Sequence, residues 1–273
     1  MPRPPDLPEF TSPPLTEVYL SVQFGTSAGW REIFAREVWS LFEKDFPNVE
    51  EQPPLPPVFE VFGAQGAPAL RVNLQPLVGP LHTRYWFLSA TGSELIQFQS
   101  DRFLHNWRKI VAPGSDYPRF DAILAKFKSE LVALEAFYQQ KGFGPLVPNQ
   151  CELAYLNQMP LTDERGQPLA ASFYFRTLDL TLAGEPAEFS LSLRQRIAGE
   201  PARPAGRLHI EANTVTGEAD KPALALNLTV RGTPPKPTIP GAIQFLDEAR
   251  GRIVRTFAAI TSDAAHQEWG RTQ

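Results

Sequence analysis

The sequence predicts an α+β fold in which a curved, mainly antiparallel sheet carries long helices packed on one face. Three observations lead there. Apolar and polar residues alternate with period two in several stretches, as in Val18, Leu20, Val22 and Phe24 against Glu17, Tyr19, Ser21 and Gln23; this is the pattern of strands buried on one side only. Two long stretches, beginning near Pro118 and Pro240, switch to a helical period. Glycine and proline clusters cut the second half into short strands without intervening helices.

The elements follow in order. Residues 1–14 are proline-rich and are expected as an extended lead-in. The first strand ends where Gly25 and Gly29 interrupt the alternation. From Trp30, the residues Ile33, Phe34, Val38, Leu41 and Phe42 share a stripe opposite Arg31, Glu32, Arg36, Glu43 and Lys44, predicting an amphipathic helix that Pro47 ends. Pro53, Pro54, Pro56 and Pro57 keep the next stretch extended. Residues 69–75 and 83–89 read as strands, with a hairpin turn at 90–93. Residues 94–109, ELIQFQSDRFLHNWRK, are long for one strand and read as two, bent at Ser100 and Asp101. The helix after Pro118 buries Phe120, Ile123, Phe127, Leu131, Leu134 and Tyr138, and Gly142 ends it.

In the second half, strands are expected over 150–157, 172–181, 188–197, 207–215 and 223–231. The final helix turns Phe245, Leu246, Ala249, Ile253, Phe257 and Ile260 inward. Strand, helix, meander and long helix is the order of TATA-binding-protein-like and helix-grip folds. Two such halves, 15–147 and 148–273, are expected to join edge to edge as one integrated body, because no flexible linker separates residues 142 and 150.

Bulk properties narrow the function classes. The chain has 273 residues, 42% hydrophobic and 21% charged, as in ordinary globular proteins. Its formal net charge of -4 provides no global attraction for nucleic acid or anionic membrane. Cys151 is the single cysteine, so no internal disulfide is available. MPRPPDLPEF lacks the apolar core of a signal peptide, and no apolar run reaches the ~20 residues of a membrane span. A cytoplasmic location is expected, and the sequon at Asn227 then carries no meaning.

Few motifs point to chemistry. Residues 25–29, GTSAG, match the G-x-S-x-G nucleophile elbow and lie between a strand and a helix. An elbow requires a parallel βαβ surround, which the pattern lacks; a glycine turn with Ser27 capping the helix is the expected role. His82, His105, His209 and His266 show no metal-ligand spacing, and no phosphate or dinucleotide loop occurs, so no metal or cofactor is expected. The richest polar segment holds Gln97, Gln99, Asp101, Arg102, His105, Asn106, Trp107 and Arg108, a mixture of amide, guanidinium and ring suited to a polar ligand or partner. Asn149, Gln150, Glu152 and Asn157 extend it on the next strand. Asp101 and Arg102 are expected to pair at the bend, leaving Arg108 for recognition. Tyr19, Tyr155 and Tyr174 would serve as stacking platforms in a nucleic-acid binder, the less favoured reading given the acidic balance.

The phrases PPLTEVYLSVQF (13–24), FPNVEEQPPLPP (46–57), SELIQFQSDRFLHNWRK (93–109) and PNQCELAYLN (148–157), with YPRF at 117–120 and Trp269, Gly270 and Arg271 after the last helix, span nearly the whole chain. Together they resemble a sporadically distributed bacterial family of conserved hypothetical proteins. The resemblance brings no catalytic residue and no cofactor. Sporadic distribution implies mobile cargo such as defence or toxin–antitoxin loci, and hence a non-catalytic interaction protein with a protein partner, accessory or neutralising. A small-molecule-binding or enzymatic helix-grip domain and a nucleic-acid-binding curved sheet are the alternatives.

Overall fold

Strand β1 (Leu15–Phe24) sits inside one open, nine-stranded antiparallel sheet, paired on one side with β5 (Arg102–Arg108) and on the other with β6 (Pro148–Pro160). The structure is a computed structural model that describes residues 6–62, 83–111, 113, 116–163, 165–176, 188–199 and 204–273. The other strands are β2 (Asn48–Gln52), β3 (Arg84–Leu88), β4 (Glu94–Gln99), β7 (Ser190–Ile197), β8 (Gly206–Thr216) and β9 (Pro222–Gly232). Their order is β2-β3-β4-β5-β1-β6-β9-β8-β7. Strands of the first half thus occupy one wing and those of the second half the other. The β1–β6 ladder makes the sheet continuous.

The helices are α1 (Ala35–Ser40), α2 (Phe120–Gln140), α3 (Ile239–Ile260) and α4 (Asp263–Glu268). Alternation sends Val18, Leu20 and Val22 to one face of β1, level with Phe103, His105 and Trp107 of β5 and with Leu153 of β6. Helix α2 meets this apolar face through Phe127, stacked on Phe103 at 6.0 Å, and Tyr138, edge-on to Phe24 at 5.9 Å. Helix α3 neighbours β6 and β9. Arg250 of α3 grips Asp121 of α2 through both terminal guanidinium nitrogens, at 3.0 and 3.2 Å. No helix among the described residues is long and apolar enough to cross a membrane.

The bend at Ser100 and Asp101 separates β4 from β5, and Gly92 takes φ 74° in the preceding hairpin, a value that suits glycine. Gly142 ends α2 at φ 72°. Thr238 caps α3, its hydroxyl accepting from the Gly241 N–H at 3.2 Å. The lead-in is docked: Phe10 bridges to Arg271 and lies edge-on to Phe257 at 5.4 Å, while Leu7 is buried.

Two expectations need correction, and two elements were not expected. The helix expected from Trp30 is a 3₁₀ turn at Glu32–Phe34 followed by the six residues of α1. Trp39 Nε1 donates to the Phe46 carbonyl at 2.9 Å, closing the chain into a turn, and Ile33 stays 78% exposed. Residues 172–176 form no strand. Ala171–Phe173 is a 3₁₀ turn, and Tyr174 stacks on Trp269 at 6.0 Å with its hydroxyl on the Pro160 carbonyl at 2.6 Å. The aromatic run there is core material delivered by a loop. Strand β2 was not foreseen, because an exposed edge strand carries no burial pattern. The short α4, capped by Ser262, was not foreseen either. The expected strand at 69–75 and His82 lie outside the described residues.

Candidate functional site

The second face of the sheet is polar, and its side chains are joined across strands. Gln97 of β4 donates to Asn106 Oδ1 of β5 at 2.9 Å, and Asn106 Nδ2 donates to Glu17 of β1 at 2.5 Å. On β3, Arg84 Nη1 and Trp86 Nε1 both donate to Gln97 Oε1, at 2.8 and 3.1 Å. A second chain begins at Tyr19 of β1, whose hydroxyl donates to Glu152 of β6; Glu152 also receives Arg231 of β9. Burial, then the adjacent Glu152 carboxylate, drives the Tyr19 phenol well above its ordinary value. Burial opposes the charge on Arg231, but Glu152 outweighs it and strengthens that charge.

Across this face runs the main chain of residues 53–62. Arg84 Nε donates to the Pro53 carbonyl at 3.2 Å. Gln99 takes both main-chain groups of Leu55: its Oε1 accepts from Leu55 N–H at 2.9 Å and its Nε2 donates to Leu55 C=O at 3.0 Å. Gln23 treats Val58 the same way, at 3.1 and 2.7 Å. Glu60 then meets the other wing, accepting from Arg207 at 2.5 Å and lying 2.6 Å from His209 Nε2, both on β8. Burial resists ionisation of Glu60, yet the hydrogen bonds from His209 and Arg207 prevail and hold its carboxyl below the ordinary 4.5. The four prolines of PPLPP suit this strap, since they fix an extended backbone and have no N–H to satisfy.

Between strap and sheet lies a cavity of about 410 Å³, lined by Tyr19, Leu55, Arg84, Asn106, Gln150 and Arg231 among others. Gln150 stands opposite Gln23 in the β1–β6 register. It is 3% exposed, and its Nε2 has no hydrogen-bond partner among the described residues.

The structure distributes the sequence-predicted residues over two faces. Gln97, Gln99, Asn106 and Gln150 belong to the polar face. Arg108, at the end of the same row, donates Nη2 to the Gly92 carbonyl at 3.0 Å and lies over the Trp86 ring at 5.7 Å. Arg102 pairs with Asp101 at 3.0 Å, as expected at the bend. His105 and Trp107 lie on the apolar face, His105 against Glu130 of α2 and Trp107 against Tyr117 at 4.9 Å. Asn157 donates to the Leu226 carbonyl at 3.0 Å in the ladder region, and Asn149 is exposed. Tyr155 and Tyr174 do not form a stacking platform: Tyr155 meets the Tyr117 hydroxyl at 3.4 Å and Tyr174 is fully buried.

Sequence reasoning missed Gln23, Glu60, Arg84 and Arg231. Strand alternation places Gln23 on the polar face, but nothing local pairs it with Val58. The reading of 25–29 is also corrected. Neither Gly25 nor Gly29 adopts a positive φ, and no side chain caps the following 3₁₀ turn. The described histidines are engaged elsewhere: His105 with Glu130, His209 with Glu60 and His266 with Thr261. Among the described residues, no group of three or more His, Cys, Asp or Glu side chains is placed to hold a metal. Comparison with protein-family models, with curated proteins and with solved structures finds no match.

Proposed function

We propose that this chain is a non-catalytic interaction protein that receives an extended, proline-containing segment of a partner polypeptide on the polar face of its sheet. The observation that carries the reading is the pair Gln23 and Gln99, each holding both main-chain groups of one strap residue. An amide side chain that reads N–H and C=O together recognises backbone, whatever the side chains, provided the backbone is extended. The strap is therefore a ligand of this face in cis. Gln150, directly opposite Gln23, presents a further amide whose donor is unfilled among the described residues, and a buried donor without an acceptor is costly enough to favour a ligand carbonyl.

The finer architecture belongs to the same proposal. The two wings read as TATA-binding-protein-like halves, β1–β5 with α2 and β6–β9 with α3, with both long helices on the apolar face. That arrangement leaves the polar face to the strap and a partner. In a bacterial family of the sporadic kind the sequence resembles, such a surface suits an accessory or neutralising partner in a mobile defence or toxin–antitoxin-type locus. Nucleic acid is disfavoured, because Arg102, Arg207 and Arg231 are neutralised by Asp101, Glu60 and Glu152.

The test replaces residues 53–61 with a glycine–serine linker of equal length and titrates the peptide PPLPPVFE, followed by calorimetry. Saturable binding that disappears in Gln23→Leu/Gln99→Leu supports the reading. A cooperatively melting strap-replaced protein that ignores the peptide sinks it. Should that variant not fold, amide exchange at Leu55 and Val58 in the intact chain decides. Opening well below the global unfolding energy supports exchange of the strap, and protection equal to the sheet centre rejects it.

A further inference from the structure

A second cavity, of about 370 Å³, opens on the other side of the sheet, where the start of α2, the middle of α3 and the lead-in converge. Its size lies in the range of small-molecule sites, which begins at ~300 Å³, and packed interiors leave few voids larger than a water. Leu7, Phe10 and Leu15 bound it from the N-terminal side, and Leu228, Ile253 and Phe257 from β9 and α3. The lead-in is fastened over it by the C-terminal tail: Thr11 N–H donates to Gly270 C=O at 3.1 Å, and Thr272 N–H donates to Glu9 C=O at 2.9 Å.

The polar groups of the lining limit what fits. Its four charged side chains come as opposite pairs, Arg250 with Asp121 at 3.0 Å and Arg119 with Glu9 at 4.0 Å. A charged ligand would have to break one of these pairs. The remaining polar side chains are Asn157, whose amide nitrogen donates to the Leu226 carbonyl at 3.0 Å, and Tyr117 and Tyr155, whose hydroxyls lie 3.4 Å apart on the cavity wall. Burial raises both phenols, Tyr117 to about 12, so each keeps its proton at neutral pH. A pair of neutral phenols offers one donor and several lone pairs beyond their mutual bond.

We infer that this cavity binds a neutral, largely apolar small molecule carrying one hydrogen-bonding group, which meets the Tyr117–Tyr155 pair. The site is separate from the strap face, with the sheet between them, and does not depend on the partner reading above.

The probe is the neutral dye N-phenyl-1-naphthylamine, compared on the full chain with 1-anilinonaphthalene-8-sulfonate, a related dye that carries a negative charge. The expected result is saturable, one-to-one binding of the neutral dye, with the sulfonate weaker by about tenfold or more. Val254 lines the cavity and is only half-buried, so Val254→Trp should fill the space and weaken the neutral dye by about tenfold while the protein still melts cooperatively. If the tryptophan variant does not fold, Val254→Phe is read in its place. Absence of neutral-dye binding overturns the inference. So does binding that the Val254 variant leaves unchanged, which marks a surface patch. Tighter binding of the sulfonate also overturns it, because it marks an anion site.

Discussion

Glu130 of α2 brackets Nδ1 of His105 with both carboxylate oxygens, at 3.0 and 2.9 Å, beneath the apolar face of β5. Both side chains are buried, and His105 Nε2 has no hydrogen-bond partner among the described residues. This contact ties the longest helix of the first wing to the sheet and accounts for a histidine in a strand that otherwise packs aromatic rings.

Removing one member of such a pair leaves the other buried and unsatisfied. Glu130→Ala is expected to destabilise the fold by ~2–3 kcal/mol, the cost of a buried imidazole nitrogen left without its partner. Glu130→Gln keeps one acceptor and should cost ~1–2 kcal/mol. Urea unfolding of the two variants checks the ranking; an alanine variant as stable as the wild type would assign the pair no structural role.

Glu60 sets an acid limit on the strap. Its folded pKa lies below the ordinary 4.5, so the native state binds protons less readily than the unfolded chain. The stability this contributes is fully present above pH 4.5 and is lost as pH falls through the folded value. Glu60→Gln should flatten that acid limb. Unfolding curves recorded from neutral pH to about pH 3 give the comparison, and an unaltered acid limb would contradict it.

The β1–β6 ladder predicts that the halves do not fold alone. Cutting between residues 144 and 145 exposes two long inner strands whose main-chain groups pair across the sheet centre. Separately expressed fragments 1–144 and 145–273 should aggregate or melt without cooperativity. Two monomeric fragments with sharp melts would show that each wing is a domain of its own.

Arg102 and Arg108 differ in what their removal leaves behind. Arg102→Ala takes two donors from the Asp101 carboxylate and leaves it the Gln99 amide at 2.9 Å, and should lower stability by ~1–2 kcal/mol. Arg108→Ala gives up a bond to the Gly92 carbonyl and the Trp86 contact, but it also removes a buried Nε that has no hydrogen-bond partner among the described residues. Its melting temperature should stay close to wild type while binding of the partner segment falls. Thermal melts and peptide titrations on both variants separate the roles, and a strongly destabilised Arg108→Ala would make that arginine structural.

The alternation of Val18 to Phe24, the helical stripes after Pro118 and Pro240 and the break at Ser100 were legible because burial on one side of a strand or helix imposes its period on consecutive residues. Element type followed from those periods, and so did the antiparallel character of the second wing. Where burial is absent or irregular the signal failed: β2 is exposed from Asn48 to Glu51, and the aromatic residues at 173–175 enter the core from a turn. The polar face was half legible. Its residues could be nominated as a set, yet periodicity cannot say which of two opposite faces a partner sees, and His105 and Trp107 belong to the apolar face while Gln97, Asn106 and Gln150 belong to the polar one. Only the tertiary structure decided that, together with the strap, the Gln23–Val58 and Gln99–Leu55 contacts and the Glu60 cluster. Those pairings join residues 35, 44 and 149 positions apart. Hydrogen bonds over such separations depend on how strands are ordered in the sheet, and strand order leaves no trace in the local period of a sequence.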